Sequence, residues 1–375
     1  MEFSISKRDF LRCLARTHAV ADRKSSMPIL SNILLATEGT DRVRLSATDL
    51  YLGVTSLSVA DVKRSGSVAI SARTLFEIVK NLPEGEVSFS VGPNHACEIR
   101  CGKVRYKIPG MADDDFPPLP VPENATFAEL DAARLGELIG LTQYSMSHDD
   151  TRPHLSGTLL EIDGGKLRLV TTDGHRLSKA EHSTGVTSEF TMLVPHKGVT
   201  ELKRMIEEAR SDIKGGDAAA TVAVAKTKGH AFFVREGLSL SVKLADEQFP
   251  PYNKVIPKQQ SKRVVASRAR LVESLRRINL VANDKSGGVQ LHLTPGLLRV
   301  QSQNPDVGEG TEELEVDYAG DPLSIGFNAK YLLEALNALS HDEVALELNG
   351  EVDPGVLKPV GDGADFVGVV MPMRI

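Results

Sequence analysis

The sequence predicts an α+β protein of three similar helix-and-sheet domains, spanning residues 1–125, 126–256 and 257–375. Three observations predict it. A chain of 375 residues exceeds what one hydrophobic core usually spans. An amphipathic helix with a similar downstream order of elements occurs three times. Two Pro-rich, poorly periodic stretches, Phe116-Pro117-Pro118-Leu119-Pro120 and Phe249-Pro250-Pro251-Tyr252, separate the copies and read as linkers.

The opening helices run from Ser6 through Thr17, from Asp131 through Thr142, and from Ser267 through Leu280. Each begins on a good N-cap residue, and Ser6 with Asp9 resembles a capping box. Apolar residues follow at helical spacing, as in Leu271, Leu275 and Ile278. A strand-like run comes next in each copy: Ile29 to Ala36, Leu155 to Ile162, and Val289 to Thr294. A second strand ends in a related turn at Ala47-Thr48-Asp49, Thr171-Thr172-Asp173 and Ser302-Gln303-Asn304, at intervals of 124 and 131 residues. A second helix begins at Ser71-Ala72-Arg73, Pro195-His196-Lys197 and Asn328-Ala329-Lys330, its basic residue recurring after 124 and 133 residues. Strands Glu86 to Val91, Thr221 to Ala225 and Glu343 to Leu348 close the copies. A period near 130 residues is too long for a solenoid, whose repeats run about 20–50 residues.

Composition bounds the function. The chain is 41% hydrophobic and 25% charged, ordinary for a soluble globular protein, and no apolar run approaches a membrane helix. The N-terminus alternates polar and apolar residues, unlike a signal peptide, and three cysteines argue against a disulfide framework, so a cytoplasmic protein is expected. The net charge is −6, and residues 257–375 carry 12 Lys and Arg against 17 Asp and Glu. That balance disfavours a tight, base-reading transcription factor but leaves room for local rows of Lys and Arg on phosphate. No Gly-rich phosphate loop is present, and Cys97-Glu98-Ile99-Arg100-Cys101 lacks the second ligand pair of a zinc site, so neither a cofactor nor a metal is expected.

Several motifs together give the chain a resemblance over its whole length. They are Pro28-Ile29-Leu30-Ser31-Asn32, Ala47-Thr48-Asp49-Leu50, Thr172-Asp173-Gly174-His175-Arg176-Leu177, Phe327-Asn328 and Val369-Val370-Met371-Pro372-Met373-Arg374-Ile375. With them the chain resembles the β subunit of bacterial DNA polymerase III, the sliding clamp. The resemblance implies a non-enzymatic, head-to-tail homodimer whose six domains close a ring on duplex DNA, helices inward and sheets outward. Its implied partners are the polymerase III α subunit, the clamp loader δ subunit, and other polymerases and repair proteins that dock through short peptides.

Three sets of residues carry this expectation. Lys7, Arg8, Arg12 and Arg16 load the first helix, with Arg73 and Lys80 on its partner; Lys197, Lys203 and Arg204 follow, then Arg268, Arg270, Arg276 and Arg277. Such rows would position phosphate without reading bases. By resemblance Lys24, Arg73, Arg152 and Lys197 face DNA, and Pro153-His154 stands where family members often carry aromatics. Also by resemblance, a partner-peptide pocket is walled by Leu155, Thr172, Gly174, His175, Arg176, Leu177, Pro250, Lys254, Val255, Asn328, Tyr331, Val369, Val370, Met371, Pro372, Met373 and Arg374. Leu, Val, Pro and Met suit an adaptable apolar groove. The ring joint is read on a basic edge strand bearing Arg100, Lys103, Arg105, Tyr106, Lys107 and Ile108. It faces an acidic run of Glu309, Glu312, Glu313 and Glu315 with Leu280 and Val281 beside it. Two other classes remain open to the residues alone. One is a metal-dependent DNA-processing enzyme using Asp113-Asp114-Asp115 and His175; the other is a monomeric peptide-binding scaffold.

Overall fold

The computed structural model describes residues 1–22, 25–149, 151–212, 220–282 and 287–374. They form two compact units, one of Met1–Glu129 with Thr221–Leu244 and the other of Leu130–Ala220 with Ala245–Ile375. Among the described residues are six α-helices: α1 (Lys7–Thr17), α2 (Ala72–Asn81), α3 (Ala132–Thr142), α4 (His196–Asp212), α5 (Arg268–Ile278) and α6 (Ala329–Ala338). Each follows directly on a strand, and α1 packs on α2, α3 on α4, and α5 on α6. The three-fold sequence repeat is therefore a repeat of helix pairs.

Local chemistry explains where the helices start. The last residue of the preceding strand caps the helix: Ser6 Oγ accepts from Asp9 N at 3.1 Å, Asp131 Oδ1 from Arg134 N at 2.8 Å, and Asn328 Oδ1 from Lys330 N at 2.9 Å. Ser267 departs from the expected pattern, since no side-chain hydrogen bond caps α5. The α5 helix also stops at Ile278, and Asn279–Val281 continue as a 3-10 turn carrying Leu280. In the first unit Phe3 stacks on Phe89 at 5.1 Å while Phe10 of α1 meets both edge-on, all three fully buried. Each such side chain contributes roughly 1.5–3 kcal/mol of burial.

Four antiparallel sheets carry the helices. The first unit holds a five-stranded sheet ordered Asp61–Arg64, Glu2–Ser6, Glu86–Val91, Ala96–Cys101, Val104–Pro109. An eight-stranded sheet is ordered Ala128–Asp131, Thr221–Lys226, His230–Arg235, Leu238–Lys243, Leu52–Val59, Arg42–Thr48, Asn32–Glu38, Ser67–Ser71. The second unit holds another eight, Phe190–Pro195, Gly157–Asp163, Lys166–Thr172, Arg176–Ser183, Asp365–Val370, Gly355–Pro359, Glu343–Leu348, Lys262–Ser267. A four-stranded sheet runs Gly308–Glu315, Leu297–Asn304, Gly288–Thr294, Leu323–Asn328.

Two expected strand starts need correction. The strand expected from Ile29 begins at Asn32, because Pro28–Ser31 form a 3-10 turn that buries Ile29 and Leu30. The strand expected from Leu155 begins at Gly157, because the Arg152 carbonyl holds the amides of Leu155 and Ser156 in a turn. Both Pro-rich stretches lack extended pairing, yet each anchors an aromatic ring: Phe116 among Ile29, Leu30 and Ala69, and Tyr252 among Leu159, Val170, Leu177 and Val369. The three cysteines are free and buried. Among the described residues no helix is long and apolar enough to cross a membrane.

Candidate functional site

The turn after the strand Lys166–Thr172 organises a site in the second unit. Asp173 Oδ1 accepts the amides of His175 (2.9 Å) and Arg176 (3.1 Å), while Thr172 Oγ1 donates to the Arg176 carbonyl at 2.6 Å. Gly174 sits at φ +92°, where a side chain would be strained. The strand that follows pairs Arg176 with Val370 and Leu177 with Val369, and the C-terminal segment extends that edge. The Met371 amide donates to the His175 carbonyl and the Met373 amide to the Gly326 carbonyl, both at 2.9 Å. Pro372 between them has no amide to pair.

Arg176 is the electrostatic centre of this site. Its guanidinium is buried, bonds Asp173 Oδ2 at 3.0 Å, the Tyr144 carbonyl at 2.7 Å and the Glu334 carboxylate of α6, and lies 4.4 Å from the Tyr331 ring centroid. Burial pushes the Tyr144 hydroxyl up to about 12, so it stays a neutral donor. His175 lies over Tyr331, ring centroids 6.4 Å apart, and is exposed. Beneath, Leu159, Val170, Leu177, Tyr252 and Val369 form a buried cluster with Phe249, Ile256 and Val367 against it. Above it Val255 and Met371 stay exposed at 45% and 40%. Leu155 is buried, Pro250 half-buried, Lys254 exposed, and Asn328 caps α6.

The same turn recurs in the first unit. Asp49 Oδ1 accepts the amides of Tyr51 and Leu52, Thr48 Oγ1 donates to the Leu52 carbonyl at 2.6 Å, and Lys243 N donates to the Tyr51 carbonyl at 2.8 Å. The floor differs. Gly53 pairs with Ser241 where Leu177 pairs with Val369, and a Cβ on Gly53 would meet Leu119 Cδ2 at 3.0 Å. Glycine, serine and an inserted leucine replace the aromatic and aliphatic floor of the second copy.

The basic row divides over a hairpin rather than lying on one strand. Arg100 is on Ala96–Cys101 and pairs across to Arg105 on Val104–Pro109, with Gly102 and Lys103 in the turn. Both guanidiniums bind Glu98, Arg105 at 2.6 Å, and the Arg105 bond is the first reason its carboxyl falls to about 2. Tyr106 and Lys107 are exposed and Ile108 is partly covered. Val104–Pro109 ends its sheet, and Gly308–Glu315 ends the four-stranded one. On the acidic edge Glu312 receives Arg277 at 2.6 and 2.9 Å, and Glu313 receives Arg299 at 2.7 Å. Arg277, read from sequence as part of a DNA-facing row, is thus engaged with this edge. Glu309 and Glu315 are exposed, as is Leu280 at 78%, and Val281 lies against Gly310.

Sequence profiles of the DNA polymerase III beta subunit match residues 1–120 (N-terminal domain), 129–251 (central domain) and 253–374 (C-terminal domain). The chain belongs to that family. The beta sliding clamp of Pseudomonas putida is 32% identical over the whole of both chains. The solved DNA polymerase III subunit beta of Pseudomonas aeruginosa is 31% identical, with a TM-score of 0.94 over the whole of both chains. A P. aeruginosa clamp solved bound to griselimycin has 31% identity and a TM-score of 0.93, with the same coverage. The three helix-and-sheet domains are those of the clamp fold.

On this clamp chain Arg73 and Lys197 are the exposed second residues of α2 and α4. Lys80 is exposed in the last turn of α2, its ammonium 5.8 Å from the Phe76 ring centroid, and Lys203 is half-buried. Lys24 lies outside the described residues. Arg152 is braced against the Thr172–Arg176 turn, bonding Asp149 Oδ2 at 3.0 Å and the Asp173 carbonyl at 3.1 Å. Asp113, raised as a metal ligand, accepts from Ser67 Oγ at 2.6 Å. No group of three or more His, Cys, Asp or Glu side chains is gathered for a metal among the described residues.

Sequence reading missed an ionic cluster beside the buried Tyr252. Glu181 receives Lys166 (2.9 Å), Arg168 (2.8 Å) and Lys179 (2.9 Å), and Arg168 also reaches Glu161 at 3.1 Å. Burial raises the Glu181 carboxyl, but the three cations outweigh it and leave it at about 2. Its folded value is below the usual 4.5, so its stabilisation is present above about pH 4.5 and lost as pH falls toward 2. Glu181→Gln is expected to remove on the order of 2–3 kcal/mol at pH 7 and much less at pH 3. Denaturant titrations of both proteins at the two pH values check this.

Proposed function

We propose that two copies of this clamp-family chain join head to tail into a ring around duplex DNA, which then tethers partner proteins without catalysing a reaction. The supporting observation is a pair of unmatched sheet edges. A five-stranded sheet ends at a strand flanked by Arg100, Lys103, Arg105 and Lys107, and a four-stranded sheet ends at one bearing Glu309, Glu312, Glu313 and Glu315. An open edge invites another chain, and a basic edge fits an acidic one. Each copy offers one of each, so two joints close a two-fold assembly. In this reading the domains meet near residues 125 and 256.

The exposed Arg73, Lys80 and Lys197 hold phosphate loosely, with Lys24, Arg152 and Lys203 completing the row, so the ring slides. The pocket around His175, Arg176, Leu177, Val255 and Met371 takes short peptides of the polymerase III α subunit, the clamp loader δ subunit, other polymerases and repair proteins. Light scattering tests the assembly. A mass of about twice 40.5 kDa is expected, and a persistent mass of 40.5 kDa at high concentration contradicts it.

A further inference from the structure

The ionic cluster behind the pocket reaches the pocket wall through one side chain. Tyr252 is 6% exposed and its ring lies in the cluster with Leu159, Val170, Leu177 and Val369. Its hydroxyl donates to Glu161 Oε2 at 2.7 Å and accepts from Arg168 Nη1 at 3.4 Å. Arg168 in turn holds Glu161 and Glu181. The backbone of the same residue carries the wall: the Tyr252 carbonyl accepts the Val255 amide at 2.9 Å and the Ile256 amide at 3.4 Å. Pro250 and Pro251 leave the approach to it with few conformations. Glu181 is buried and Glu161 and Arg168 are half-buried, so these charges are costly unless their geometry is fixed, and here it fixes a linker that otherwise has no strand partner.

We propose that Tyr252, held by Glu161 and Arg168, is a positioning latch that sets the Pro250–Val255 wall and thereby the affinity of the pocket for peptides. This rests on the pocket reading above. Tyr252 touches no partner in this account; it acts by holding Val255 and Lys254 where a peptide meets them. Part of the Tyr252–Glu161 hydrogen bond is spent on preorganisation of the wall.

The test uses full-length protein and griselimycin as the probe, with Kd read by calorimetry, and folding and mass checked by circular dichroism and light scattering. Tyr252→Phe keeps the ring and is expected to weaken binding roughly five- to tenfold. Glu161→Ala should do the same, Glu161→Gln should bind nearly as wild type because it keeps an acceptor oxygen, and Tyr252→Phe with Glu161→Ala should be no weaker than either alone. Amide exchange of residues 249–256 should quicken in Tyr252→Phe. If the two losses multiply, or if folded variants bind as wild type, the latch is overturned. A chain lacking residues 371–375 separates the two readings. If it loses griselimycin while the latch variants do not, the pocket stands without the latch; if it binds undiminished, the pocket reading falls and the latch with it.

Discussion

Arg105→Glu is expected to turn the dimer into monomers at micromolar concentration. The basic edge carries Arg100, Lys103, Arg105 and Lys107 against a single Glu98 that both arginines share. Reversal changes the local charge by two, sets a new carboxylate beside Glu98, and presents both to the acidic edge of the second copy. Charge reversal at a complementary interface costs on the order of 3 kcal/mol, about a hundredfold in dimer Kd. Arg105 is exposed on the edge strand, so the fold should survive. Glu98→Gln supplies the opposite sign: it frees both guanidiniums and should tighten the dimer. Sedimentation velocity across a dilution series reads both, and an unchanged Arg105→Glu dimer would place the joint elsewhere.

Removing residues 371–375 is expected to abolish peptide binding, at least a hundredfold, while leaving the dimer intact. The segment contributes the Met371 and Met373 amides to the His175 and Gly326 carbonyls and leaves the Met371 side chain exposed where the proposed pocket lies. Its loss uncovers the Leu323–Asn328 edge and strips one wall from above the Leu159, Val170, Leu177, Tyr252 and Val369 floor. The basic and acidic edges are built from other strands, so sedimentation should still report two copies. Equal loss of dimer and peptide binding in this variant and in Arg105→Glu would contradict the separation of the two surfaces.

The sequence made the helix pairs legible because short-range chemistry sets them. Ser6, Asp131 and Asn328 cap α1, α3 and α6 as their spacing announced, and Arg73, Lys197 and Lys330 occupy the second positions of α2, α4 and α6. The repeated turn was visible too, at Thr48-Asp49 and Thr172-Asp173, although only the pairing partners reveal why the copies differ. Ser241 and Val369 lie far along the chain from Gly53 and Leu177, and nothing local predicts that one floor is apolar and the other filled. Long-range charge pairing was illegible for the same reason. Arg100 and Arg105 read as neighbours on one strand, whereas a turn at Gly102, with φ +54°, folds them opposite one another. The Glu161, Arg168 and Glu181 cluster had a faint signal in its alternating charges, but the aromatic it holds comes from a stretch that reads as linker.

The ring itself is tested most directly by topology. The chain, loaded onto nicked circular DNA by an ATP-driven clamp loader, should remain with the circle through gel filtration in moderate salt. Cutting the circle once should release it, because the DNA then has ends from which a loosely held ring slides. Retention after linearisation, or loss from the intact circle, would contradict encirclement.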